Sequence, residues 1–248
     1  MLQITVLGCG SSLGVPVIGC DCNVCTSTSS YNKRTRSSIY MDDGNSQILI
    51  DFGFDIKEQL IREKFRKLDA AILTHYHADH FSGVDNLRVF PFIQNKPLEI
   101  FSDHHTIELL ENRYEYLFSA DKLVAKPVDF FAKLEIHSMN IQFFKQNHSS
   151  IDSLGVRVGD FVYSSDVADF PDRSKKFLQN IKVWVLDCVG YDSNDNHAGL
   201  NKVLQWNDEY KPQQILLTNM GHLIDYHQIV NILPNNIKPL YDGYKFTF

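Results

Sequence analysis

Short runs of apolar and β-branched residues recur along the chain at 3–6, 38–41, 47–51, 70–73, 98–101, 135–144, 154–158, 161–164, 183–186 and 214–217, with a last pair near 238–240 and 244–246. Their length and composition predict strands. Between them the apolar positions take helical spacing: in 55–65, Ile56, Leu60, Ile61 and Phe65 fall on one side. Helical patterns also occupy 82–90, 106–116, 172–180, 200–206 and 226–233, with Ser102 and Asp103 placed to cap the third of the six. Strands first, then strands mixed with helices, predict an α+β protein of stacked sheets covered by helices. No repeat, low-complexity tract or linker interrupts the pattern, so residues 1–248 read as a single domain.

Directly after the apolar run 70–74, six residues read His75-Tyr76-His77-Ala78-Asp79-His80. A regular strand would send His75, His77 and Asp79 to one face and His80 to the other, so a tight turn is expected to fold the four donors together. Imidazoles and a carboxylate suit zinc, manganese or iron, and paired ions about 3.5–4 Å apart can clamp the attacking and leaving oxygens of a hydrolytic displacement. No His-Glu-x-x-His string occurs, which excludes the helix-borne alternative. His148 and Asp166 end later strands; on their own, a strand-end histidine and a turn aspartate are commonplace. Cys20-Asp21-Cys22-Asn23-Val24-Cys25 is a second constellation, whose spacing lets three thiolates converge on one tetrahedral ion, a closed structural zinc with its fourth ligand from elsewhere.

Composition narrows the partners. A net charge of −6 gives no electrostatic reason to hold a long nucleic acid, so a small substrate is expected. No basic leader and no apolar stretch of about 18 residues is present, so a cytoplasmic protein without a membrane partner is expected. Five cysteines, three of them clustered, suit a reducing compartment and a metal site better than a disulfide framework. An aromatic content of 12% leaves room for a homodimer face without locating one.

The histidine string resembles the signature of the metallo-β-lactamase superfamily, which implies an αββα sandwich of two mixed sheets flanked by helices. Together with the cysteine knuckle, Gly8-Cys9-Gly10-Ser11-Ser12-Leu13-Gly14-Val15-Pro16, the segment 31–38 and Tyr241-Asp242-Gly243, it resembles the PhnP-like cyclic phosphodiesterases over nearly the whole chain. That resemblance implies one catalytic ion on His75, His77 and His148, another on Asp79 and His80, and Asp166 bridging both. It also implies a late Thr-His-x-x-His supplying one ligand to the catalytic pair and one to the structural zinc. Here the chain departs, reading Thr218-Asn219-Met220-Gly221-His222. By register His222 joins Cys20, Cys22 and Cys25, while Asn219 replaces a catalytic ligand with an amide oxygen better suited to manganese than to zinc. A shifted loop would instead bring His222 to the catalytic pair. His197, in the polar loop 194–200, corresponds to a histidine facing the substrate phosphate.

The expectation is therefore a metal-dependent hydrolase, a phosphodiesterase of small cyclic or nucleotide-like diesters using a dinuclear-metal-activated hydroxide. Two catalytic manganese or zinc ions and one structural zinc are its cofactors, Asp79 and His197 its catalytic residues, and His197 and Arg36 its contacts to the substrate phosphate. A ribonuclease Z-like endonuclease, a thioester or lactam hydrolase and a non-catalytic nucleotide-binding protein are the alternatives. Gly10-Ser11-Ser12-Leu13-Gly14 is not a hydrolase nucleophile elbow, because no helix follows it, and Gly8-x-Gly10 lacks the third glycine of a dinucleotide site. Lys33, Arg34 and Arg36 read as a solvated basic loop with one arginine within reach of a phosphate; His104, His105, His137 and His227 read as structural or solvated.

Overall fold

Strands β1 (Gln3–Gly8), β2 (Ser38–Asp42), β3 (Gln47–Ile50), β4 (Ala70–Ile72), β5 (Leu98–Ser102) and β6 (Leu123–Pro127) form one sheet in chain order. β7 (Lys133–Ile136), β8 (Met139–His148), β9 (Ile151–Val158), β10 (Phe161–Ser164), β11 (Val183–Asp187), β12 (Gln214–Thr218) and β13 (Ile237–Pro239) form the other, and β14 (Lys245–Thr247) returns to pair with β1. The structure is a computed structural model that describes residues 1–119 and 122–248. Both sheets are mixed in the same way. β1, β2 and β3 are antiparallel, and β3 to β6 run parallel. β7 to β10 are antiparallel, and β10 to β13 run parallel.

Alternation along each strand sorts the layers. Ile4, Val6, Ile39, Met41, Ile48, Ile50 and Ile72 join Phe143, Val156, Tyr163 and Val185 in the core between the sheets. The intervening Leu7, Tyr40, Leu49 and Ala71 pack instead with Ile56, Leu60, Phe81 and Leu110 on the outer face. Burial on both faces is why these strands read as almost continuous apolar runs. Helices α1 (Ile56–Glu63), α2 (Ala78–Phe81), α3 (Val89–Gln94), α4 (His104–Arg113) and α5 (Glu115–Phe118) accompany the first sheet; α6 (Asp172–Lys175), α7 (Leu200–Tyr210) and α8 (Tyr226–Val230) accompany the second. The result is the expected αββα sandwich. Among the described residues no helix is long and apolar enough to cross a membrane.

Three departures from expectation have a clear physical cause. The run 135–144 is a hairpin, because the chain turns at His137, with φ +50°, between β7 and β8; His137 therefore lies in a turn and not inside an element. The pattern 82–90 splits into a 3-10 segment, Val84–Arg88, and α3, which accommodates Pro91 in its first turn, where a missing N–H is tolerated. β6 was absent from the sequence reading: it is a partly exposed edge strand carrying Lys126 and Pro127, which weaken its apolar signal.

Candidate metal centre

The carboxyl ends of β4, β8, β10, β11 and β12 open onto one edge of the sandwich and carry the donor residues. After β4 the chain stays extended to His77 and then enters α2, so a single helical turn, not a tight turn, brings Asp79 and His80 back beside His75 and His77. Gly53 makes this possible: a Cβ there would strike the Asp79 carbonyl, so only glycine lets the segment after β3 lie against α2.

Asp166, at φ +50°, presents its two oxygens to different neighbours. Its Oδ2 lies 3.7 Å from His75 Nε2 and 3.5 Å from His148 Nε2, while Oδ1 lies 3.3 Å from His80 Nε2. His148 Nε2 is 3.1 Å from His77 Nδ1, and His80 Nε2 is 3.3 Å from Asp79 Oδ2. Two donor groups result, His75/His77/His148/Asp166 and Asp79/His80/Asp166, sharing one carboxylate. Donors about 2.0–2.1 Å from a tetrahedral ion stand about 3.3–3.4 Å apart, within the 3.1–3.7 Å spread found here.

Surrounding groups aim these donors inward. Asp51, at φ +61°, accepts hydrogen bonds from the Thr74 hydroxyl at 3.0 Å and from His80 Nδ1 at 2.8 Å. The Thr74 proton is thereby used, so His75 Nδ1, 3.0 Å from Thr74 Oγ1, must donate to it and leave Nε2 as a lone pair facing the site. That Nε2 is buried without a hydrogen-bond partner, a state worth about 1–3 kcal/mol of destabilisation. His148 Nδ1 likewise donates to the Asn196 carbonyl at 2.6 Å, freeing its Nε2. These residues fit a divalent ion.

Electrostatics follow the packing. Burial, reinforced by His80, pushes the His75 imidazole well below its usual range. Burial pulls His80 the same way, but Asp166, Asp51 and Asp79 outweigh it and raise it well above. Burial alone would raise Asp166, yet the charge and hydrogen bond of His80 hold it well below the usual carboxylate range.

His197 packs edge-on against His148, with ring centroids 4.8 Å apart, and its Nδ1 lies 2.9 Å from Asp187 Oδ2. Asp187 is fully buried and also accepts the Val167 amide at 3.0 Å. Burial would lower the His197 pKa, but the Asp187 charge and hydrogen bond raise it to about 9. Sequence reasoning missed both Asp51 and Asp187. Their one signal is an apolar run that ends in aspartate, at 48–51 and at 183–187.

Asn219, at φ +58°, stands at the centre but turns its amide nitrogen inward, donating to Asp166 Oδ1 at 2.9 Å and Asp187 Oδ1 at 3.1 Å. His222, three residues on, faces the knuckle: its Nδ1 lies 3.2 Å from Cys20 Sγ and 3.6 Å from the sulfurs of Cys22 and Cys25. The sulfur-to-nitrogen edge of a tetrahedral zinc site is about 3.6 Å. The loop is therefore in the unshifted register. Cys22 is held down at about 6 by hydrogen bonds, first from the Cys25 amide, whereas burial raises Cys25.

Of the basic cluster only Lys33 is exposed as expected; the two arginines are engaged by the protein. Arg34 is buried and donates to the carbonyls of Gly221 at 3.1 Å and Ile224 at 2.8 Å. Arg36 is engaged by Asp55 at 3.0 Å and by the Ser12 carbonyl at 3.1 Å. A cavity of about 430 Å³ opens beside His197, lined among others by Ser12, Leu13, Tyr191, His222 and Leu223. A more apolar cavity of about 490 Å³, between α1 and α3, touches none of the donors.

The beta-lactamase superfamily domain pattern matches residues 46–220. Among curated relatives, an octanoyltransferase of Porphyromonas gingivalis is 25% identical over 98% of this chain, and a ribonuclease Z of Clostridium kluyveri is 28% identical over 71%. The chain spans about half the length of each, 51% and 52%. A solved structure of a diphosphatase from the PhnP family aligns with a TM-score of 0.95 at 29% identity, covering 100% of this chain and 98% of that one. With the family pattern, the whole-chain structural match and the His/Asp cluster in agreement, the chain belongs to the beta-lactamase superfamily and carries its fold.

Proposed function

We propose that this protein hydrolyses small cyclic or nucleotide-like phosphodiesters. His75, His77, His148 and Asp166 hold one divalent ion, Asp79, His80 and Asp166 a second, and Cys20, Cys22, Cys25 and His222 a structural zinc. The observation that carries this reading is the two-sided Asp166, flanked by inward-facing imidazole nitrogens, with a carboxylate-backed His197 beside it. When bound, paired divalent ions would lower the pKa of water and neutralise charge on phosphoryl oxygens. Asp79 keeps 9% exposure, against 2% for Asp166, which suits its carboxylate to orient the attacking water. With its pKa at about 9, His197 keeps its proton at neutral pH. Asp187 engages Nδ1, so the Nε2–H faces the leaving oxygen as general acid. Net charge −6 favours a small substrate over transfer RNA.

The test is hydrolysis of bis(p-nitrophenyl) phosphate by protein reconstituted with manganese or zinc, beside His77→Ala. Turnover is expected in the parent and a loss exceeding about 100-fold in the variant, since removing a ligand should exceed the 10–100-fold typical of groups behind it. Full metal loading without diester turnover would move the assignment to carbonyl substrates.

A further inference from the structure

We infer that the cavity beside His197 selects diesters with one charged phosphoryl group and an aromatic or bulky apolar ester group, and discriminates against a second phosphate. The inference rests on the phosphodiesterase reading and adds what the rest of the substrate must be. Three loops carry the apolar wall: Leu13 after β1, Tyr191 after β11 and Leu223 after β12. Leu13 and Leu223 are 63% and 67% exposed. A single exposed leucine needs no explanation, but three large side chains from separate loops lining one cavity next to a polar centre do. The volume of about 430 Å³ exceeds what a phosphoryl group alone needs and has room for a ring.

The charges lining the cavity point the same way. No lysine or arginine is among its lining residues, whereas one of them, Asp192, is acidic. The arginine that touches the Ser12 wall, Arg36, spends its Nε–H on the Ser12 carbonyl and is already paired with Asp55. His197 is the lining side chain that packs against the donor cluster, and on the phosphodiesterase reading it serves the phosphoryl group being cleaved. A second phosphate would therefore find no lysine or arginine among the lining residues to offset its charge. The wall is also built in advance: Ser11 and Gly14 are tied by a 2.7 Å turn bond, Val15 donates to Arg34 O at 2.9 Å, and Ile224 donates to Gly221 O at 3.2 Å. Preorganised surfaces bind with less ordering of side chains.

Two measurements on one metal-loaded preparation test this. Calorimetric binding compares diphenyl phosphate with dimethyl phosphate, and kinetics compare the 5′-(p-nitrophenyl phosphate) ester of thymidine with the same ester carrying a 3′-phosphate. Diphenyl phosphate is expected to bind about tenfold tighter than dimethyl phosphate, and the added 3′-phosphate to raise KM about tenfold with little change in kcat. Tyr191→Ala and Leu223→Ala should each weaken diphenyl phosphate and leave dimethyl phosphate unchanged. Equal binding of the two diesters, or a preference untouched by both variants, overturns the inference, as does faster turnover of the 3′-phosphorylated ester. If no ester is cleaved, the binding series still decides the cavity's preference, while the phosphodiesterase reading fails separately.

Discussion

The two sides of Asp166 are furnished unequally. Its Oδ2 side gathers three imidazoles, from His75, His77 and His148, and includes a buried nitrogen with no protein partner. Its Oδ1 side has one imidazole and one carboxylate, His80 and Asp79, and there Asn219 contributes an N–H donor to Asp166 itself. A donor hydrogen on a carboxylate oxygen competes with a cation for the same lone pairs. On the proposed two-ion reading the first side would hold its ion the more tightly, while the second would depend most on Asp51, whose carboxylate orients His80 directly. Density of ligands in the sequence does not measure strength of a site. The motif 75–80 supplies two donors to each side, and distant residues decide the difference.

Replacing Asp51 should widen the contrast most. Asp51→Asn removes the charge that touches His80 directly and His75 only through Thr74, and is expected to weaken the second ion by up to about 100-fold and the first by less; calorimetric titration with manganese reads both. Equal weakening of both ions would show that the sides are not independent.

Asp187→Asn probes the group beside the pair. Asp187 raises His197 to about 9, so removing its charge should bring the imidazole down towards its ordinary value near 6.5. The basic limb of kcat should move to lower pH by the same sense, and turnover at pH 8 should fall roughly thirtyfold as the protonated fraction drops. Stability follows the same sign: a raised histidine pKa stabilises the fold fully below about 6.5, and the contribution is lost as pH rises through about 9. A pH–rate profile unchanged by the substitution would exclude His197 as the acid. The smallest effect expected is that of Asn219→His, which exchanges a hydrogen donor for a ligand nitrogen and should tighten the second ion by about tenfold. An unchanged titration would mean that the two sides differ for a reason other than Asn219.

Much of this centre was readable before any coordinates. Four donors in 75–80 lie next to each other in the chain, and the three cysteines of the knuckle lie within six residues, so local spacing alone exposes them. The positions of His148, Asp166 and His222 needed the order of a family, because each is an ordinary residue at a strand end or in the loop beyond one. Asp51 and Asp187 stayed hidden for a physical reason: their role comes from tertiary packing against His80 and His197, 29 and 10 residues away, which no periodicity encodes. Arg34 misled in the opposite direction. A basic tripeptide-like cluster suggests solvent, but backbone carbonyls of the loop after β12 take up its guanidinium. At the fold level, alternation located the doubly buried strands, whereas the edge strand β6 and the hairpin turn at His137 depended on exposure and a left-handed residue.

The segment from Asn219 to His222 is fastened along its whole length, by Met220 N on the Cys9 carbonyl at 2.8 Å, by Gly221 N on the Val189 carbonyl at 3.0 Å, and by an imidazole among three sulfurs. It works as a tie rod between two chemistries. Leu223, the next residue, hangs from its far end and forms part of the cavity wall. On the proposed reading, the stiffness of the surface against which a substrate leans would be set in part at the cysteine end, by atoms remote from the donor cluster.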